Sequence, residues 1–133
     1  MKIVKIAAIV MLVYVGIVVA FESLIGYFQP AGASTMVITT TGADGEAADR
    51  VVARLESDGK LYVAANHWPR AWYREALANP VVEVDLGDGR HSYTAVPLEG
   101  AEYDRVNAAH PLGPVVRFLT GYPPRRLMRL DPA

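Results

Sequence analysis

Hydrophobic and polar positions divide this chain into two unequal parts. From Ile3 to Phe21 every residue is apolar except Lys5 and Gly16. At 1.5 Å per residue that run spans roughly 28 Å, close to the ~30 Å hydrocarbon core of a bilayer, and it predicts a membrane-crossing helix. Gln29-Pro30-Ala31-Gly32-Ala33-Ser34 then reads as a linker. Short β-type runs separated by turns follow. Met36 to Thr41 is β-branched and predicts a first strand, closed by the turn Gly42-Ala43-Asp44-Gly45. Arg50 to Glu56 predicts a second, with Val51, Ala53 and Leu55 on one face and Arg50, Val52, Arg54 and Glu56 on the other. Ser57-Asp58-Gly59-Lys60 is a hairpin turn, because Asp-Gly tolerates positive φ. It leads into a third strand, Leu61 to Ala65.

Ala71 to Ala78 predicts a short helix whose Trp72, Tyr73, Ala76 and Leu77 share one apolar face. Asn79-Pro80 stops it, since the residue before a proline is pushed out of the α region. Val81 to Leu86 and Arg90 to Leu98 form a second hairpin around Gly87-Asp88-Gly89. Gly100 to His110 is a second helix, with Tyr103 and Val106 at contact spacing. Pro111 to Pro124 holds four prolines and two glycines and is expected to be irregular. Leu127 to Leu130 is a last short strand. This pattern predicts an α+β, mainly β fold: a small antiparallel barrel with short helices at its ends. The expected organisation is an anchor over 1–28, a linker over 29–35 and a barrel over 36–133.

The apolar run has a competing reading as a signal peptide. Val18 and Ala20 are small residues before a cut, but the run exceeds the ~7–15 residues of a signal core. Tyr27 and Phe28 suit the interfacial belt of an anchor. Lys2 and Lys5 face Glu22 across the run, which puts the N-terminus in the cytoplasm and the domain outside.

Composition mainly excludes. Without cysteine there are no disulfides, no thiol catalysis and no Cys-based metal sites. Thirteen basic against fourteen acidic residues give a charge of −1, no footprint for nucleic acid. There is no Gly-rich phosphate loop, no HExxH and no GxSxG, and His67, His91 and His110 are too scattered to predict a metal site. The remaining chemistry is a rim of polar and aromatic groups. Asn66-His67-Trp68-Pro69-Arg70 packs an amide, an imidazole, an indole and a guanidinium into one loop. Arg50 and Arg54 form either a solvated strand face or a grip on a phosphate or carboxylate. Trp72 and Tyr73 are either core or pocket wall. Arg117, Arg125, Arg126 and Arg129 give the C-terminal third a basic bias, suited to solvent, lipid head groups or an anionic ligand.

Taken in order, TTTG after a first strand, a second strand opening on Arg50, GKLYVAAN, and then WY-REALANP-VVEV resemble the deazaflavin-dependent nitroreductase/quinone reductase family. The resemblance runs from about Met36 to Asp131. It implies a split β-barrel akin to flavin-mononucleotide-binding barrels, with coenzyme F-420, or FMN as the alternative, passing a hydride to a quinone or nitro compound. It implies membrane association for some members. It also implies that Thr41, Gly42, Arg50 and Arg54 hold the coenzyme's anionic groups. Ala65, Asn66, His67, Trp72 and Tyr73 would lie around its ring, with Trp68 and Tyr122 beside the substrate. Where the family carries a basic turn of the kind G-R-K-S-G, this chain has Gly42-Ala43-Asp44-Gly45-Glu46. Two alternatives stand beside this reading: a membrane-tethered module binding a lipid or quinone without turnover, and a heme or flavin binder on the same barrel.

Overall fold

A computed structural model describes residues 1–27, 35–65, 71–111, 113–119, 121–122 and 124–133. The N-terminal helix α1 spans Lys2–Tyr27. Strands β1 (Thr35–Thr41), β2 (Ala47–Ala53), β3 (Leu55–Ser57) and β4 (Lys60–Ala65) follow. Then come helix α2 (Ala71–Ala78), β5 (Val81–Asp85), β6 (Arg90–Pro97), α3 (Gly100–Ala109), α4 (Pro114–Leu119) and β7 (Arg126–Pro132). The strands form one antiparallel sheet in the order β2-β1-β5-β6-β7-β4-β3. β2 and β3 lie at opposite ends of that order, yet only Arg54 separates them in the chain. A single residue bridges at most about 7 Å between its neighbours' Cα atoms. The sheet must therefore curl until its two ends meet, which makes it a barrel.

The expected second strand, Arg50 to Glu56, is thus two strands paired to different neighbours. β2 pairs with β1, from Thr35 opposite Ala53 to Thr41 opposite Ala47, whereas β3 pairs with β4. Over β2 the two faces alternate as expected, and the one that carries Val52 is inward. Val52 is buried and Ala53 exposed, so Val52 and Arg50 share the inward side. The bounds of α2 match the expectation, and Trp72 and Ala76 are its buried residues, but Leu77 is exposed. The segment expected to be irregular contains α4. The last strand, expected to be short, runs seven residues and sits inside the sheet between β6 and β4.

Burial explains the continuous apolar run of β4. Val63 and Ala65 face the barrel interior with Ile38, Val84, Met128 and Leu130. Tyr62 and Ala64 face the other way, into a second cluster with Leu98, Val106 and Leu127 beneath α3. A strand covered on both faces needs apolar residues at both parities. Polar contacts clip α3 down at that level. The fully buried Tyr62 donates its hydroxyl proton to Glu102 Oε2 at 3.0 Å. Arg129 reaches Glu102 Oε1 at 2.7 Å, and Arg105 pairs with Asp58.

Ile38 is fully enclosed in the barrel interior. Ile38→Ala is expected to cost about 2–5 kcal/mol, read from urea unfolding of the detergent-solubilised chain. Val81→Ala, at a side chain 59% exposed, is expected to stay within about 0.5 kcal/mol.

Candidate functional site

The inward side of β2 is the one that carries Arg50. Arg50 turns inward at the barrel mouth, opposite Ile38 in the β1 register. There the β1–β2 hairpin and the start of α2 enclose a cleft of about 350 Å³, lined by Thr40, Ala48, Asp49, Arg50, Ala71, Trp72 and Glu75. Trp72 is buried, and its ring meets that of Tyr73 edge-on, with centroids 5.8 Å apart and planes at 86°. This edge-to-face arrangement is the one ring quadrupoles favour, and it fixes the indole as a wall.

Thr40 and Glu75 make up the polar part. Thr40 shares the inward parity of Met36 and Ile38 and is fully buried. A buried hydroxyl needs a partner, and Thr40 Oγ1 donates to Glu75 Oε2 at 2.7 Å. Asp49 on the rim accepts from Thr39 Oγ1 and from Arg90, both at 2.7 Å. The β1–β2 turn closes on itself: Gly42 N–H donates to Glu46 O at 2.9 Å, and Glu46 N–H to Asp44 Oδ1 at 3.1 Å. A Cβ at Gly42 would come within 2.9 Å of Asp44 Oδ1 and 3.7 Å of Glu75 Oε1, so the glycine lets turn and helix approach. Burial pushes the Tyr73 phenol above its ordinary pKa, opposed by the positive charge of Arg126. Tyr73 therefore stays a proton donor through the neutral range.

Of the expected site residues, Arg50 and Trp72 meet in this cleft, Gly42 adjoins it through Glu75, and Tyr73 backs it. Ala65 is buried in the barrel interior, opposite Arg126. Thr41 borders a separate groove of about 240 Å³ with Asn79, Glu83 and Arg90. Arg54 is not in the cleft lining; it sits at the β2–β3 junction and holds Glu56 at 2.7 Å. Tyr122 lies beside α4, its ring 6.5 Å from that of Phe118. Asn66, His67 and Trp68 lie outside the described residues. Among the described residues, no group of three His, Cys, Asp or Glu side chains is placed to hold a metal. Thr40 and Glu75 were not expected. Both carry a signal in the sequence: Thr40 is a hydroxyl at an inward strand position, and Glu75 lies three residues after Trp72 on the same helix face.

A Thr40→Val, Glu75→Ala double-mutant cycle is expected to give a coupling of about 0.5–3 kcal/mol in urea unfolding, as for residues joined by one hydrogen bond. Additive single effects would mean that the pair does not act as a unit.

A protein-family model described as F420H(2)-dependent quinone reductase matches residues 13–112. No curated protein matches the chain. Among solved structures, an F420-H2 dependent reductase (FDR-A) is 28% identical with a TM-score of 0.60, the match covering 74% of this chain and 94% of that one. A domain-swapped dimer is 26% identical with a TM-score of 0.62, over 76% of this chain and 82% of its own. HutZ, the heme storage protein from Vibrio cholerae, has a TM-score of 0.60 at 18% identity, over 76% and 82%. That last likeness is one of fold. Together these comparisons identify the curled seven-stranded sheet as a split barrel.

Proposed function

Because the chain belongs to the F420H(2)-dependent quinone reductase family, and is thereby a deazaflavin-dependent oxidoreductase, we propose that the Arg50–Trp72 cleft holds coenzyme F-420 and serves hydride transfer to a quinone. The observation that carries this reading is the meeting of one guanidinium and one fixed indole in a single cleft at the barrel mouth. The residues present fit such a group. The cleft's 350 Å³ falls in the ~300–1,000 Å³ range of small-molecule sites. Trp72, Ala48 and Ala71 offer an apolar wall, and Arg50 offers a cation.

When bound, the reduced coenzyme supplies the hydride, so no protein nucleophile is required. The chain's own residues bind, orient and keep water out. Arg50 holds an anionic group through charge-assisted hydrogen bonds. Asp49 and Glu75 would repel the same anion, but each already accepts a threonine hydroxyl, and Asp49 also the Arg90 guanidinium. That engagement weakens their field at the cleft. Trp72 shields the site from solvent, and Tyr73 keeps a phenolic proton at its back.

The same reading makes α1 a single-pass anchor, joined through residues 29–35 to the barrel. Its Lys2–Leu24 stretch has a mean hydropathy of 2.7. A lipid-dissolved quinone would then meet its reductase at the membrane. Lys2 and Lys5 remain the ground for a cytoplasmic N-terminus.

A fluorescence titration of the full chain in detergent, with F-420 beside FMN, tests the site. Saturable micromolar binding of F-420 is expected. Arg50→Ala is expected to raise Kd about tenfold, a loss of about 1.4 kcal/mol. Arg54→Ala is expected to leave Kd unchanged, because Arg54 is engaged with Glu56 outside the cleft. Unaltered binding in Arg50→Ala would overturn the assignment.

A further inference from the structure

Helix α4 buries none of its residues. Val115 and Phe118 on it, and Tyr122 just beyond, are 68%, 47% and 58% exposed. A six-residue helix with most of its apolar surface in water gains little from propensity and little from burial. What α4 does touch is α1. The rings of Tyr14 and Phe118 stand 5.0 Å apart, and the Tyr14 hydroxyl donates to the Phe118 carbonyl at 2.9 Å.

The height of that contact matters. Tyr14 precedes Leu24, the end of the apolar span, by ten residues. That is about 15 Å along the helix axis, half of a ~30 Å hydrocarbon core. An element bonded to Tyr14 therefore lies within the thickness of any bilayer that α1 crosses. Hydrocarbon demands that backbone polar groups find partners inside the protein. α4 meets much of that demand. Pro114 brings no N–H, and Arg117 N–H donates to Gly113 O at 3.1 Å. At the other end, Gly121 N–H donates to Phe118 O at 3.2 Å and Tyr122 N–H to Arg117 O at 2.9 Å. The Tyr14 hydroxyl then gives the Phe118 carbonyl a second donor.

We propose that α4 and Tyr122 form a second membrane contact, a short wedge lodged in the lipid leaflet beside α1. Val115, Val116 and Phe118 meet acyl chains. The proposal rests on the reading of α1 as a membrane span.

The absence of cysteine makes the test direct, since one introduced thiol is the only one in the chain. Val115→Cys, Val10→Cys and Asp88→Cys are each labelled with an environment-sensitive NBD dye. The full chains are reconstituted in phosphatidylcholine/phosphatidylglycerol vesicles and quenched with spin-labelled lipid. Asp88 sits in the turn before β6, and its side chain is exposed. The expected result is blue-shifted, lipid-quenched emission at positions 115 and 10, and water-like emission at 88. Quenching at 10 without quenching at 115 would overturn the wedge and leave the anchor standing. Quenching at neither would overturn the anchor and the wedge together. Val115 is exposed, so its replacement is expected to leave the fold intact, checked by circular dichroism.

Discussion

A single residue sets the shape of this domain. Arg54 joins two strands that occupy opposite ends of a seven-stranded sheet. The link is too short for an open sheet, so the twist natural to β-structure has to be carried through to near closure. Once the sheet is curled, the rest follows. The inward faces of β1, β4, β5 and β7 share one apolar interior. The outward face of β4 and β7 needs a cover, which α3 supplies. The barrel mouth beside the β1–β2 hairpin stays open on one side, where α2 forms a wall and leaves a cleft.

The legible parts of the fold were those with local punctuation. Asn79-Pro80 ends α2 where a proline must end it, and the Asp-Gly and Gly-Asp-Gly turns delimit the hairpins. Resemblance of motif order brought the barrel and its coenzyme class within reach. The illegible parts depend on partners far away in the chain. Nothing between Arg50 and Glu56 announces that pairing switches at Arg54, because β1 and β4 make that decision. The same switch takes Arg54 out of β2, so of the two arginines Arg50 is the one in the cleft lining. β7 looked like a short terminal strand, because its central place comes from β6 and β4 on either side. α4 is hidden among prolines and draws on contact with α1, some hundred residues earlier in the chain.

The cleft balances opposed demands. It carries a guanidinium and two carboxylates within a few residues of one another. Unpartnered carboxylates would favour cations there. The structure instead gives each of them hydroxyl or guanidinium donors from β1 and β6, so both are engaged before any ligand arrives. Polar groups already satisfied in place cost no reorganisation when a ligand binds, which is the usual benefit of a rigid site. The acidic turn from Asp44 to Glu46 is likewise occupied with its own closure.

The Tyr14–Phe118 contact changes what the N-terminal helix is to the domain. A helix joined to a domain by chain connection alone is a leash, and the body it holds samples a hemisphere of solution. A helix that also grips the body partway along its length is a bracket, fixing height and attitude. Under the proposal that α1 spans a bilayer and the acceptor dissolves in it, encounters would take place in a plane. Their frequency would be governed by acceptor molecules per unit area and by lateral diffusion, and the bulk concentration of that acceptor in water would drop out of the rate.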